Sequence, residues 1–237
     1  MDVLKDINIV LNEAGKRLSD RFSLIPKLFL VFLITNLLLS LANSVLLNLV
    51  MLTRASILFG FLQALLNALA YSVMLYALSE VVLYKRLALD FSDFRMNFRR
   101  YFPDVYFACF ILWLGMRLLN LSLSSPIYLI VILVFSALPE AIYLTDASRM
   151  EVFAEALKFM KENFVLWIPI ALIHVVFFFL FSFILTIPPL WLLGPTQIFQ
   201  SIVFLFALAF YYTFRGVVFD YLNGSNARKR KFMDAWK

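Results

Sequence analysis

Three ionisable residues sit in apolar surroundings in this 237-residue chain, and their spacing is the first feature that could do chemistry. Glu80, Glu140 and Arg215 belong to three similar stretches, SEVVLY (Ser79–Tyr84), PEAIYL (Pro139–Leu144) and RGVVFD (Arg215–Asp220). Aligned, the two acids are equivalent and Arg215 precedes them by one position, opposite Ser79 and Pro139. Ionisable groups inside a membrane are costly, and they usually pair or face a cavity. A guanidinium takes two carboxylates well because its planar fork offers five donors. The spacing predicts a salt-bridged cluster of Glu80, Glu140 and Arg215 closing one end of a helical bundle. The alternative is that each side chain snorkels separately to the nearby interface.

Other polar groups are more scattered. Arg117, near Asn120 and Ser124, either snorkels outward or contacts an anion. Asn36, Ser40, Ser44 and Asn48 recur every four residues and form one polar stripe, widened by Asn43. Gly60, Ala64, Ala68 and Ser72 keep the same spacing on a second segment and leave a smooth face. Small and polar residues are what hold membrane helices together, since apolar burial offers little there. The stripe therefore predicts interhelical packing, with a hydrated path as the alternative. His174 has no acid, cysteine or second histidine at ligand spacing, so a hydrogen-bonded structural role is expected rather than a metal ligand or proton relay. Cys109, the single cysteine, is expected to be a buried structural thiol. The chain has no phosphate-cradling glycine loop, HExxH, GxSxG or paired cysteines. No catalytic residue, cofactor site or metal site is expected.

The elements that must position these residues follow from composition. The chain is 63% hydrophobic and 15% charged, against about 25% charged for a soluble domain. From Val165 to Phe214 there is no Asp, Glu, Lys or Arg, which is room for two membrane crossings of about 20 residues each. Six spans are predicted: Leu28–Leu52, Ile57–Tyr84, Val105–Leu123, Ile127–Leu144, Val165–Ile187 and Ile198–Tyr221. Lipid offers no partner to an unpaired amide, so each must be a helix.

Charge sets the expected orientation. All but Arg54 and Arg117 of the 21 lysines and arginines fall in the N-terminal segment, the 85–100 and 149–161 loops, or the tail from Arg215. The positive-inside rule then places both termini and both long loops in the cytoplasm, in an inner-membrane, multi-pass protein. The N-terminal MDVLKDINIVLNEAGK is charged and amphipathic, unlike a signal peptide.

A larger unit repeats. AGKRLSDRF, FRMNFRRYF and ALKFMKENF end on Phe22, Phe102 and Phe164, and each runs into a pair of spans. The fold class expected is an all-α, polytopic membrane protein in three units, about 1–84, 85–145 and 146–237, forming a single domain with pseudo-threefold symmetry. The amphipathic segments should lie at the inner interface with Lys and Arg toward anionic headgroups. Ser148 and Glu151 form a capping box ahead of the third.

The stretch Leu138–Ile170, in which a span ends in Pro139–Glu140 and leads into ALKFMKENF, resembles a recurring segment of six-span bacterial and archaeal membrane proteins of unassigned function. These include the membrane domain attached to some glycerophosphodiester phosphodiesterases. The resemblance implies a six-span layout and no catalytic residues. Two function classes follow. The first is a non-catalytic module that binds membrane lipid or a membrane partner, with no nucleic acid involved. The second is a small-solute transporter or channel gated by the charge cluster.

Overall fold

The structure is a computed structural model that describes residues 3–53, 56–87, 91–118, 126–185 and 194–224. The described residues are α-helical apart from one 3-10 turn and short connections, with no strand among them. The helices are α1 (Val3–Ser19), α2 (Ile25–Thr53), α3 (Ser56–Tyr84), α4 (Phe91–Leu118), α5 (Pro126–Val134), α6 (Leu138–Leu144), α7 (Met150–Leu185) and α8 (Pro195–Asn223). Among the described residues, five segments are long and apolar enough to cross a membrane: Phe22–Leu46, Phe61–Tyr84, Ile127–Leu144, Met150–Phe177 and Ile198–Asn223. The expected third span, 105–123, is helical as far as Leu118 and then passes outside the described residues. Arg54, residues 119–125, the 227–231 basic tail, the surroundings of Gly60 and the side chain of Arg117 also lie outside them.

The helices α3, α6 and α8 touch one another and form the centre. Around them, α2 packs between α3 and α8, α4 against α3 and α6, and α7 against α5, α6 and α8. The core is dense in aromatics where α7 meets α8. Phe159 stacks on Phe219 with centroids 4.1 Å apart and meets Trp167 edge-on at 5.0 Å. Gly216 of α8 lies at the closest approach of the three central helices. A Cβ there would collide with the Tyr143 hydroxyl and come within 2.9 Å of Val82 Cγ2. Only a residue without a side chain lets α3, α6 and α8 meet at this point.

Local chemistry explains the breaks. The segment before α2 turns over Ser19–Leu24, with Arg21 N–H donating to Leu18 O at 3.0 Å and Leu24 N–H to Arg21 O at 2.9 Å. In α7 the break is a kink at Asn163 (φ −121°, ψ 18°), whose amide donates back to Phe159 O at 3.3 Å. In α4, Pro103 is carried inside an unbroken helix. The fourth apolar segment is interrupted between Val134 and Leu138. There Ser136 N–H reaches Leu133 O at 3.2 Å and Leu138 N–H reaches Phe135 O at 3.0 Å, the tighter three-residue spacing. Pro139 follows in the first turn of α6, where its missing N–H costs least. Ahead of α7, Ser148 N–H donates to the Glu151 carboxylate at 3.4 Å, one half of the expected capping box.

One expectation is corrected and one is narrowed. Cys109 is exposed on the outside of α4 rather than buried, because that helix turns Val105 and Ala108 inward. The polar stripe on α2 does not join helices through the bonds of Asn36 and Ser44. Asn36 donates to Phe32 O at 2.8 Å and Ser44 to Ser40 O at 2.9 Å, each one turn back on its own helix. This local route satisfies a polar side chain without a partner helix. Asn48 is exposed.

Candidate functional site

The residues in α6, α7 and α8 build one buried polar centre around Arg215, whose side chain is wholly enclosed. Its Nη2 donates to Glu140 Oε2 at 2.6 Å and to the backbone carbonyl of Ser136, and its Nη1 contacts His174 Nδ1. The Ser136 carbonyl belongs to the interruption between α5 and α6, outside both helices. The break in the fourth segment therefore supplies one of the ligands. Aromatic faces surround the guanidinium: Tyr212, Tyr211 and Trp167 lie 5.3, 5.5 and 5.6 Å from Cζ to ring centroid. Ring faces carry negative charge density and attract a desolvated cation.

A second layer fixes the first. Trp167 Nε1–H donates to Ser136 Oγ at 3.0 Å, and Tyr211 O–H donates to Ile170 O at 2.7 Å. Not every group is satisfied. Among the described residues, Glu140 Oε1, Arg215 Nε and the Tyr143 hydroxyl are buried without a hydrogen-bond partner. Glu140 thus holds Arg215 through one oxygen, and the side-on, two-point grip that a carboxylate can take on a guanidinium is not used.

Of the three residues expected to cluster, the structure brings together Glu140 and Arg215 and leaves out Glu80. The Glu80 carboxylate is buried but accepts from Arg86 Nε at 3.2 Å. The reason is the way α3 ends. Lys85 takes a left-handed conformation (φ 50°), and Arg86 N–H returns to Glu80 O at 3.3 Å, which folds Arg86 over the carboxylate. Unbroken α3 and interrupted α5–α6 hold equivalent acids in different surroundings. Neither Asn36 nor Ser44 has a described bond to this centre, and the Arg117 side chain is outside the described residues.

Residues that sequence reasoning overlooked do much of the positioning. Ser136, Trp167, Tyr211 and Tyr212 carried no charge to attract notice. His174 has an arginine as partner, 41 positions away. Arg21 is the other omission. It is buried, and it donates to Val81 O at 3.1 Å, Val82 O at 2.8 Å and Arg17 O at 2.6 Å. It thereby caps the end of α3, where helix carbonyls lack intrahelical partners. Burial holds its guanidinium below the ordinary arginine value, Arg17 pushes the same way, and Asp220 and Asp20 oppose them. Arg17 completes the attachment of α1 to α8, bonding Asp220 Oδ2 at 3.1 Å and covering the Tyr221 ring at 5.1 Å.

Among the described residues, no group of three or more His, Cys, Asp or Glu could hold a metal. The chain is a helical, multi-pass membrane protein by the length and apolarity of five of its segments. Comparison with protein-family models, curated proteins and solved structures finds no match.

Proposed function

We propose that this protein is a non-catalytic integral membrane protein that crosses the inner membrane six times, both termini in the cytoplasm, and binds anionic lipid or a membrane partner at its cytoplasmic side. The three-unit organisation belongs to this reading. Each of α2, α4 and α7 packs on two central helices, its own unit's and another's, as a cyclic arrangement of repeats requires. Membership of the six-span family that Leu138–Ile170 resembles is part of the same proposal.

One observation carries the lipid-binding reading. The segments leading into α2 and the kinked α7 bury one face on the bundle and leave aromatic residues outside among bases. In α1, Val10, Ala14 and Leu18 are buried against α8, while Phe22 just beyond is 61% exposed near Lys16 and Lys27. In α7, Val152, Ala156 and Met160 are buried, while Phe164 is 54% exposed near Lys158 and Lys161. Apolar rings flanked by lysines suit the headgroup boundary of an anionic leaflet.

The test is mass spectrometry of the tagged protein extracted with its surrounding lipid, beside an unrelated six-span control. Retention of an anionic lipid or a stoichiometric partner above the control, lost on Phe22→Ser/Phe164→Ser, is the expected result. An unchanged profile against the control sinks the reading. A second reading, a small-solute carrier gated at its cytoplasmic end, is favoured by the enclosed Glu140–Arg215 pair beside an interrupted span. Irregular backbone at membrane depth is tolerated where protein or a cavity covers it, and carriers place their sites there.

A further inference from the structure

We infer that Arg215 is the receptor for a small monocarboxylate, and that Glu140 is the internal carboxylate holding its place until ligand and a proton arrive together. The inference deepens the carrier reading and is independent of lipid retention by the surface helices. Binding to the purified protein tests the site and flux into vesicles tests carriage, so either can fail alone.

The pair leaves one group unused on each side. Arg215 Nη2 serves Glu140 Oε2 and Ser136 O, and Nη1 serves His174, but Nε donates to nothing; on the other side Glu140 Oε1 accepts from nothing. Both groups are fully enclosed, so neither shortfall is made good by bulk solvent. Leaving a buried polar group unpaired is costly, and a charged one more so. A purely structural pair would gain by turning the carboxylate side-on across Nε and Nη2. Glu140, carried on the short helix that starts at Leu138 after the interruption, does not take that geometry. A free carboxylate has no such tether and can engage both donors.

The surroundings select the ligand class. The rings of Trp167, Tyr211 and Tyr212 close in on the guanidinium, so a ligand has to be compact enough to take the place that the Glu140 carboxylate vacates. Charge balance limits it to one negative charge. The pair is neutral as it stands, and a carboxylate that displaces Glu140 would leave that side chain as an uncompensated buried anion. Breaking a buried pair this way is prohibitive unless Glu140 takes up a proton. The bound state is then ligand carboxylate, Arg215 guanidinium and neutral Glu140, with one proton taken up for each anion bound. The Tyr143 hydroxyl, unpartnered and one turn from Glu140, is placed on the helix that must shift. The interruption at 135–137 is the hinge that lets α6 move without unwinding a continuous span.

The titratable and charged groups facing Glu140 are Arg215, with Tyr211 and Tyr212 around it on α8, His174 on α7 and Tyr143 on α6. Tyr101 of α4 and Asp220 of α8 act on Tyr143 electrostatically. Glu80 of α3 is committed to Arg86. Among the described residues Glu140 is the one carboxylate bonded to Arg215, and the linked proton belongs to it.

The experiment is thermal unfolding of the detergent-solubilised protein with acetate or benzoate, against equal chloride, from pH 8 to pH 5. The expected result is a melting temperature raised by carboxylate and not by chloride. Apparent affinity should tighten about tenfold per pH unit while free Glu140 is ionised, as uptake of one proton demands. Glu140→Gln should bind carboxylate at every pH with a flat profile, and Glu140→Gln/Arg215→Gln should not bind it. Carboxylate stabilising Glu140→Gln but never the wild type would make the pair a permanent bridge and overturn the proposal. Equal stabilisation of the double variant, or no stabilisation of any form, would overturn it as well. If Glu140→Gln does not fold, wild type against the charge-neutral double variant still decides.

Discussion

Substituting Gly216 by alanine tests how closely the three central helices meet. An alanine Cβ at this position would stand 2.9 Å from Val82 Cγ2 and 3.4 Å from Tyr143 Cζ, and it would collide with the Tyr143 hydroxyl. Carbon atoms rest at about 3.5–4.0 Å, so the first contact is repulsive and the hydroxyl cannot stay where it is. Both neighbours are packed, Val82 and Tyr143 being 1% and 2% exposed, so relieving the clash displaces part of α3 or α6. Overpacking of this kind costs about 1–3 kcal/mol, while replacing glycine in a helix returns about 1 kcal/mol. With two contacts under 3.0 Å at once, the upper end of that range applies, and the net expectation for Gly216→Ala is a loss of about 2 kcal/mol. The closest obstacle is removable, because the Tyr143 hydroxyl has no hydrogen-bond partner and Tyr143→Phe deletes it without breaking a bond. Tyr143→Phe alone should be neutral or slightly stabilising. In that background Gly216→Ala should cost less than about 1 kcal/mol, giving a favourable coupling between the two sites. Reversible unfolding of all four proteins in one detergent, followed by tryptophan fluorescence, measures the cycle. If Gly216→Ala is as stable as the wild type, or costs the same with and without Tyr143→Phe, the close approach is not what glycine serves.

Three further outcomes follow from the ionic contacts. Arg215→Gln alone should cost about 3–5 kcal/mol in the same unfolding assay, because it strands a buried carboxylate, and Glu140→Gln/Arg215→Gln should recover most of that loss. Arg86→Ala should cost under about 1 kcal/mol, since its side chain is 57% exposed and water replaces it readily; a loss as large as that of Arg215→Gln would mean Glu80 is the more constrained acid. Arg21→Ala strips the cap from α3 and one anchor from α1, so amide exchange of residues 3–19 and protease cutting near Ser19 should both accelerate; unchanged exchange would show that the contacts of α1 with α8 suffice.

What could be read from the sequence was whatever the solvent dictates. Long uncharged stretches between charged loops can only be helices in lipid, and the hydropathy of Phe61–Tyr84 or Ile198–Asn223 announces them without reference to any other residue. Pairing is a different kind of information. Asn36 and Ser44 have the spacing of helix glue, yet each finds its acceptor one turn back on α2, a choice that spacing alone does not reveal. Arg21 counted as one more base in a charged segment, and only the end of α3 lying above it turns that base into a cap. His174 looked solitary because its partner is a cation and not an acid.

The alignment of SEVVLY, PEAIYL and RGVVFD holds the sharper lesson. It puts Gly216 opposite Glu80 and Glu140, so the third stretch has no side chain where the first two have acids. Equal register suggested equal geometry, a guanidinium receiving two carboxylates. The chain separates them through backbone. Unbroken α3 closes with a left-handed Lys85 that brings Arg86 back over Glu80, whereas the interruption at 135–137 frees the Ser136 carbonyl for Arg215 and lets α6 present Glu140 beside it. Gly216 then gives the room in which α6 lies against α8 close enough for a 2.6 Å contact. Three similar stretches thus carry three jobs: a rim ion pair, an enclosed carboxylate, and the arginine and glycine that receive it. What tells them apart is a broken helix and a missing Cβ, and neither is a matter of charge.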